Sequence, residues 1–441
     1  MASTIEDVIS VNALPIASLS LNVTTLPSLP NELLIQVLEY LTKTVDLLHC
    51  CHVSRRLRNV CEALLCRNVS LAATEGQASE DGRRLRLFLR TLIERPDAAK
   101  NVHNLTISNY SKGHYGHPSD DERLFANAAQ SSRIPLVASD NFQRAMLYGE
   151  NVVQSALVLS LVPQLRTLKL ILYRTDPSKR ADINGLLMDV ASLLADPSRA
   201  LGNPSVSFTK LEKLTLRDTS NLHQLEGFLR IPTLKELELE NLSALKVAQP
   251  FIAPTEKSNI TTLKLQIGKH INTAALDALL KSFAGLQHFE CSWGYVPAAA
   301  PETRVFVPTV IRLLEQYHKT TLRSLHLHSS HNGSNEMPSL STFTVLRSVT
   351  ILLFPRRSPL TIPANMRSAG FFPTSIQEID LGTWLAEQEF VMPFLEGLVN
   401  AKSMAGLHDL KAVRIDLRYG KINTEDLYTR YSAAGIKLEV Y

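Results

Sequence analysis

Little in this chain is built for cross-linking, phosphate binding or membrane insertion. Five cysteines are few and odd in number, which argues against a disulfide framework. Four of them, Cys50, Cys51, Cys61 and Cys66, crowd one short stretch. Cys50 and Cys51 are adjacent, however, and no well-spaced second pair accompanies Cys61 and Cys66, so the spacing of a zinc site is missing. They read as small apolar residues on helix faces. The 18 glycines are scattered and form neither a P-loop nor a dinucleotide fingerprint. No apolar run reaches the roughly 18 residues of a membrane span. No lysine or arginine precedes Lys43, so neither a secretory signal nor a transit peptide is expected. The net charge of +4 is too small for bulk attraction to nucleic acid or an anionic membrane. The small basic cluster Arg83, Arg84 and Arg86 reads as a solvated helix face. No nucleophile motif or paired-carboxylate signature emerges, so the chain is expected to be no enzyme and to need no cofactor.

What is present is material for a core. Hydrophobic residues make up 45% of the 441 and charged ones 20%, the balance of a globular protein, and the length suggests two or three domains. Residues 1–25, rich in Ser, Thr, Ala and Val, read as a flexible lead. Residues 26–70 read as three short helices. Pro30 suits a first helical turn, where its missing N–H costs nothing. Leu33, Leu34, Val37, Leu38 and Leu41 keep helical spacing. Asp46 favours a second helix start, followed by Leu47, Leu48, Cys51 and Val53. Ser54 can cap a third helix with Leu57, Val60, Cys61, Leu64 and Leu65 on its apolar positions. So few residues cannot bury all these faces against one another, and some of that surface needs a partner or the rest of the chain.

The order Leu29-Pro30, Glu32-Leu33, the stripe Val37, Leu38 and Leu41, Asp46-Leu47, and Val53-Ser54-Arg55 resembles the F-box, the helical module that docks onto the SKP adaptor of a cullin-type ubiquitin ligase. Leu57 stands where that family often has Trp. The resemblance implies adaptor contacts from Leu29, Pro30, Leu33, Leu34, Val37, Leu38, Leu41, Leu47, Val53 and Leu57, with cullin reached through the adaptor. It also implies a cytoplasmic or nuclear location.

Beyond residue 160 the pattern L-x-x-L-x-L recurs with conservative swaps. It starts at Leu165, Leu211, Leu234, Ile260, Leu286, Leu322, Leu346, Ile376 and Leu410, with an earlier copy at Val102/Leu105/Ile107. Repeats of about 20–29 residues with this pattern mark leucine-rich repeats, although several steps are longer and the Asn that usually follows each strand is mostly missing. Helical spacing appears between copies, over Ile183–Leu194, Leu276–Phe283 and Val310–Tyr317. The region resembles the divergent leucine-rich-repeat domains that follow F-boxes in many fungal proteins. The expected fold is therefore α/β: the helical module, then residues 71–160 as a helical linker and start of the solenoid with a flexible loop at 111–122, then an irregular solenoid over 161–441 with parallel strands inside and helices outside. Thr424–Ala434 reads as a last helix, Gly435 as its stop, and Ile436, Leu438 and Val440 as a closing strand.

Side chains between the two core-facing positions of each copy would form one polar row: Lys169, Thr215, Glu238, Lys264, Glu290, His326, Thr350, Asp380 and Arg414. Glu236, Glu238 and Glu240 concentrate negative charge on one strand. Glu238, Glu240, Lys264, Glu290, His326 and His328 are the candidate contacts to a target protein. His326 and His328 share a face, and Glu290 would lie beside them, a set that two His and a carboxylate could turn into a metal site. Solvated or ligand-contacting side chains explain them more simply. In the loop, His114 and His117 with Asp120 or Asp121 invite the same two readings. Three functions follow in order of support. The first is the substrate-recognition subunit of an SKP–cullin–F-box ligase, the second a repeat scaffold outside any ligase, and the third a metal-dependent enzyme at the His326/His328 cluster.

Overall fold

Pro30 holds its backbone extended (φ −54°, ψ 152°), and its carbonyl accepts the first helical hydrogen bond, from Leu34 N–H at 3.0 Å. It therefore caps α1 (Asn31–Glu39) instead of occupying the first turn, since its locked φ suits either place. The second helix, α2 (Thr44–Val53), starts ahead of Asp46, which lies in its first turn. Ser54 accepts the Leu57 N–H on its Oγ at 3.2 Å and caps α3 (Arg55–Arg67). The computed structural model describes residues 29–41, 43–72, 78–109, 120–131, 137, 139–147, 150–172, 187, 190–191, 208–218, 225–242, 257–267, 273–293, 307–329, 337–353, 369–382, 388–403, 406–415 and 425–440. Its contacts divide the chain into two units after Arg67.

In the first unit, Leu34, Leu38, Cys51, Leu57, Val60 and Cys61 form a small closed core, with Leu29, Ile35, Leu41, Leu47, Cys50, Leu64 and Leu65 packed on it. Leu57 fills this core at 3% exposure. Arg56 Nε donates to Asn31 Oδ1 at 3.0 Å, and Arg67 pairs with Glu39, so α3 is tied to both ends of α1.

The second unit begins at once. The sequence pattern leaves residues 68–70 with the helices, but Asn68–Leu71 is already β1, and Asn104–Asn109 is β2 of the same sheet. Only Val69 and Leu71 carry an inward signal in β1, too little to show a period. The expected repeats supply β3 (Thr167–Leu172), β4 (Lys213–Arg217), β5 (Glu236–Leu242), β6 (Thr262–Ile267), β7 (His288–Trp293), β8 (Ser324–Ser329), β9 (Ser348–Leu353), β10 (Glu378–Gly382) and β11 (Ala412–Ile415). The closing strand is β12 (Lys437–Val440). Together they make a 12-stranded sheet in chain order, with parallel pairings throughout.

Between strands lie α4 (Ala78–Glu94), α5 (Pro96–Ala99), α6 (Asp120–Gln130), α7 (Asp140–Leu147), α8 (Asn151–Leu161), α9 (Glu226–Leu229), α10 (Thr273–Lys281), α11 (Val307–His318), α12 (Gln388–Ser403) and α13 (Glu425–Ala433). The unit is thus a solenoid-like strand–helix array. Asp120, Asp121 and Glu122 are the first turn of α6, where carboxylates favour the helix N-terminus; they are not part of a loop. His114, His117, His331 and most of the Ile183–Leu194 segment lie outside the described residues.

One backbone device recurs along the sheet. The carbonyl of the residue just before a strand accepts two N–H groups from the start of the next strand. His103 does so for Arg166 and Thr167, Arg166 for Glu212 and Lys213, and so on through Gln377 for Lys411 and Ala412. Inward residues such as Leu168, Leu214, Leu237, Leu263, Leu325 and Val349 are all fully buried. Asp218, just after β4, and Asn241, near the end of β5, take left-handed geometry and bond to each other through their side chains, a role that short polar side chains tolerate. Gly435 (φ 67°) ends α13, with Ile436 N–H reaching the Tyr431 carbonyl at 2.9 Å and Gly435 N–H the Ser432 carbonyl at 3.0 Å, a Schellman arrangement.

A buried imidazole makes this core sensitive to acid. His318 on α11 is 1% exposed, its Nε2–H donates to the Leu280 carbonyl at 2.9 Å, and its Nδ1 has no partner among the described residues. Burial lowers its pKa, with the Leu280 bond opposing and Lys257 assisting. The folded state therefore keeps His318 neutral where the unfolded chain, titrating near pH 6.5, takes a proton. Its contribution is complete above that pH and is lost as the pH falls through it, by at most about 1.4 kcal/mol per pH unit. His318→Gln is expected to flatten the fall in urea-unfolding stability between pH 7 and 5, and an unchanged slope would rule the residue out.

Candidate functional site

The helix α1 carries two apolar faces. Leu34 (0% exposed) and Leu38 (2%) point into the module core, whereas Leu33 (44%), Val37 (44%) and Tyr40 (86%) point outward. Positions i, i+4 and i+7 share one helix face, so the outward three form a continuous strip. With Leu29, Gln36 and Glu39 they line an open depression. Val45, Leu48 and Val53 on α2 are exposed as well. Six of the eight exposed large hydrophobic side chains among the described residues therefore sit in this short module, a concentration that marks an interaction surface.

Burial sorts the residues that the sequence proposes as adaptor contacts. Leu33, Val37 and Val53 are accessible, and Pro30 is exposed. Leu29, Leu41 and Leu47 are half-buried against the core. Leu34, Leu38 and Leu57 are wholly buried by the module's own helices and cannot also face a partner. Tyr40, Val45 and Leu48 belong to the exposed set but are absent from the sequence-derived contacts. Tyr40 completes the spacing of Leu33 and Val37, which was the signal available. The module cysteines form no disulfide. Burial, with Cys51 and Cys50 alongside, pushes the Cys61 thiol up to about 12, which suits a core residue and not a thiolate ligand.

On the sheet, the outward polar row is continuous in register. It runs from Ser70 and Thr106 through Lys169, Thr215, Glu238, Lys264, Glu290, His326, Thr350, Asp380 and Arg414 to Glu439. The acidic strand β5 is already neutralised by its neighbours. Glu240 meets Lys169 at 2.5 Å, Glu236 meets Lys213 at 2.9 Å and Lys264 at 3.0 Å, and Glu238 meets Thr215 Oγ1 at 3.1 Å and Lys213 at 3.6 Å. Burial pushes Glu236 up, but the hydrogen bonds from Lys213 and Lys264 outweigh it and hold the carboxyl below its ordinary range. The same bond raises Lys264.

Around His326 the row changes character. Glu290 is its register partner on β7, and His328 follows two residues on. Burial lowers the His326 pKa, opposed by Glu290 and Asp380 and assisted by His328 and His288. Among the described residues no three His, Cys, Asp or Glu side chains converge into a group that could hold a metal ion. No helix among them is long and apolar enough to cross a membrane.

Two measurements test these assignments. Leu34→Ala is expected to lower hydrogen-exchange protection of the α1 amides by about 2–5 kcal/mol, while Leu33→Ala leaves it within about 0.5 kcal/mol; equal effects would contradict the two-faced reading. On the sheet, Glu238→Lys with Glu240→Lys turns ion pairs into like-charge contacts. It should cost about 1–2 kcal/mol in thermal unfolding, and an unchanged transition would show that the pairs contribute nothing.

Comparison with known proteins bears on the first unit. A search of curated proteins finds no match to the chain. A family model described as F-box-like matches residues 26–72, so the helical module that carries the exposed Leu33–Val37–Tyr40 strip, together with the first sheet strand, is an F-box-like domain.

Proposed function

We propose that this chain is the substrate-recognition subunit of an SKP–cullin–F-box ubiquitin ligase. The F-box-like match over residues 26–72 carries the reading, and the exposed apolar strip on α1 supports it. The strip docks on the SKP-type adaptor, which joins the chain to cullin. The parallel sheet, in the style of a divergent leucine-rich repeat, presents its outward polar face to a target protein. The chain supplies binding alone. Bond formation belongs to the ubiquitin-carrying partner, accelerated by the proximity that the complex enforces.

The adaptor pull-down is the direct test. Each exposed leucine or valine buried on docking contributes roughly 1.5–3 kcal/mol. Leu33→Glu with Val37→Glu should therefore weaken adaptor binding by about 100-fold or more, while the thermal unfolding of the sheet stays put. Undiminished adaptor recovery from the double variant would overturn the docking face. Failure of the unaltered chain to bind any SKP-type adaptor would leave a protein-interaction scaffold outside a ligase as the better account.

A further inference from the structure

The residues just before strands β3–β11 form a row of their own along one rim of the sheet. Each is joined to the next through the carbonyl that accepts two N–H groups, in the order Arg166, Glu212, Lys235, Thr261, Gln287, Arg323, Arg347, Gln377 and Lys411. Five are cations and one is a carboxylate. All five cations are exposed, and none makes an ion pair or side-chain hydrogen bond with a described residue. The lysines of the outward face differ in this respect: Lys169, Lys213 and Lys264 are held by the glutamates of β5. The acidic residues that follow the rim at the strand starts are taken as well, Glu236 by Lys213 and Lys264 and Glu378 by Arg414 at 3.8 Å. Lys281 ends α10 and Lys319 follows α11, where a cation offsets the helix dipole. The five cations of the row stand outside the last turn of any described helix, so that use does not account for them.

We propose that this rim, from Lys235 to Lys411, binds an extended acidic segment of a partner protein through Lys235, Arg323, Arg347 and Lys411. The proposal rests on the reading of the sheet as the target-holding half of the protein, and it names the chemistry of the target there. Charge complementarity selects the partner: carboxylates supply the anions that these four cations lack, and a basic segment would be repelled. Arg323 and Arg347 are one strand spacing apart, about 4.8 Å, and Lys235 and Lys411 are six apart, about 29 Å. An extended chain laid across the strand starts covers that length in about nine residues, with alternate side chains on one face. Glutamates or aspartates at alternate positions therefore meet the row. A short protein segment fits better than a nucleic acid or a membrane. Glu212 interrupts the row next to Lys235, and Asp409 stands two residues before Lys411, so the cationic run is bounded. None of the exposed large hydrophobic side chains among the described residues lies on this rim, which leaves bases nothing to stack on and lipid nothing to receive.

The experiment uses the full chain and a fluorescent glycine–serine peptide of about nine residues with glutamates at alternate positions. The same peptide with glutamines in their place is the comparison. The glutamate peptide should bind and the glutamine peptide should not. Arg323→Gln with Arg347→Gln should weaken binding about five- to tenfold. Arg83→Gln with Arg123→Gln, an equal charge change on α4 and α6, should not. Thermal unfolding should stay put in the first pair, since neither arginine has an ion pair to lose. Arg347→Gln alone serves if that pair fails to fold and should lower the affinity several-fold. Raising the ionic strength from about 0.05 to 0.5 M should weaken binding, because the row is solvent-exposed. Equal binding of the two peptides, or unchanged affinity in both Arg347 variants, would overturn the proposal. So would tighter binding of a single-stranded oligonucleotide of the same charge, which would assign the rim to nucleic acid. Adaptor recovery on the same preparations separates the two readings: a lost peptide preference with adaptor still bound defeats this inference alone, and an absent adaptor defeats the ligase reading.

Discussion

Every outward feature of the second unit depends on register. Parallel strands alternate their side chains with a period of two, and a slip by one residue would carry the lysines and glutamates of the outward row into the core. Here the slip is prevented from inside. Leu168, Leu214, Leu237, Leu263, Phe289, Leu325, Val349, Ile379 and Val413 stand at matching positions and are all buried. The paired N–H groups at each strand start lock onto one carbonyl of the preceding repeat and set the same phase independently of side chains. The polar row is therefore a consequence of leucine burial, and its chemistry varies freely because none of it is needed to fix the pairing.

That freedom is used unevenly. On β3–β6 the row is spent on contacts within the sheet, where Lys169, Lys213 and Lys264 hold the three glutamates of β5. Exposed pairs of this kind add little stability one by one, but several sharing partners make a surface with small net attraction for anything else. Further along, Gly382 lets the neighbouring strand come close: a Cβ there would fall 1.9 Å from the Leu352 side chain.

The first unit solves a different problem. Its three short helices bury only a handful of side chains in common, so the module keeps a second apolar face outside. The exposed strip of Leu33, Val37 and Tyr40 lies beside the buried pair Leu34 and Leu38 on the same helix. Closing the core with one stripe leaves the other available, which is what a docking module requires.

The sequence alone determined the existence of the three helices, the Ser54 cap, nearly every strand of the sheet, the stop at Gly435 and the composition of the outward row. Each of these follows from local spacing, 3.6 residues per turn or two per strand pair, or from a single residue's capping chemistry. Three things were decided only by the tertiary structure. Which apolar stripe of α1 faces inward depends on where α2 and α3 lie, because Leu33, Leu34, Val37, Leu38 and Leu41 cover too wide an arc for periodicity to choose. The start of the sheet at Asn68 depends on pairing with β2, because two inward residues in β1 carry no legible period. Whether an acidic strand is an open charge or a neutralised one depends on which cations stand beside it. Lys169, Lys213 and Lys264 are far from β5 in sequence or separated by a whole repeat, and only the register brings them to Glu240, Glu238 and Glu236 while leaving Glu290 without an ion pair among the described residues.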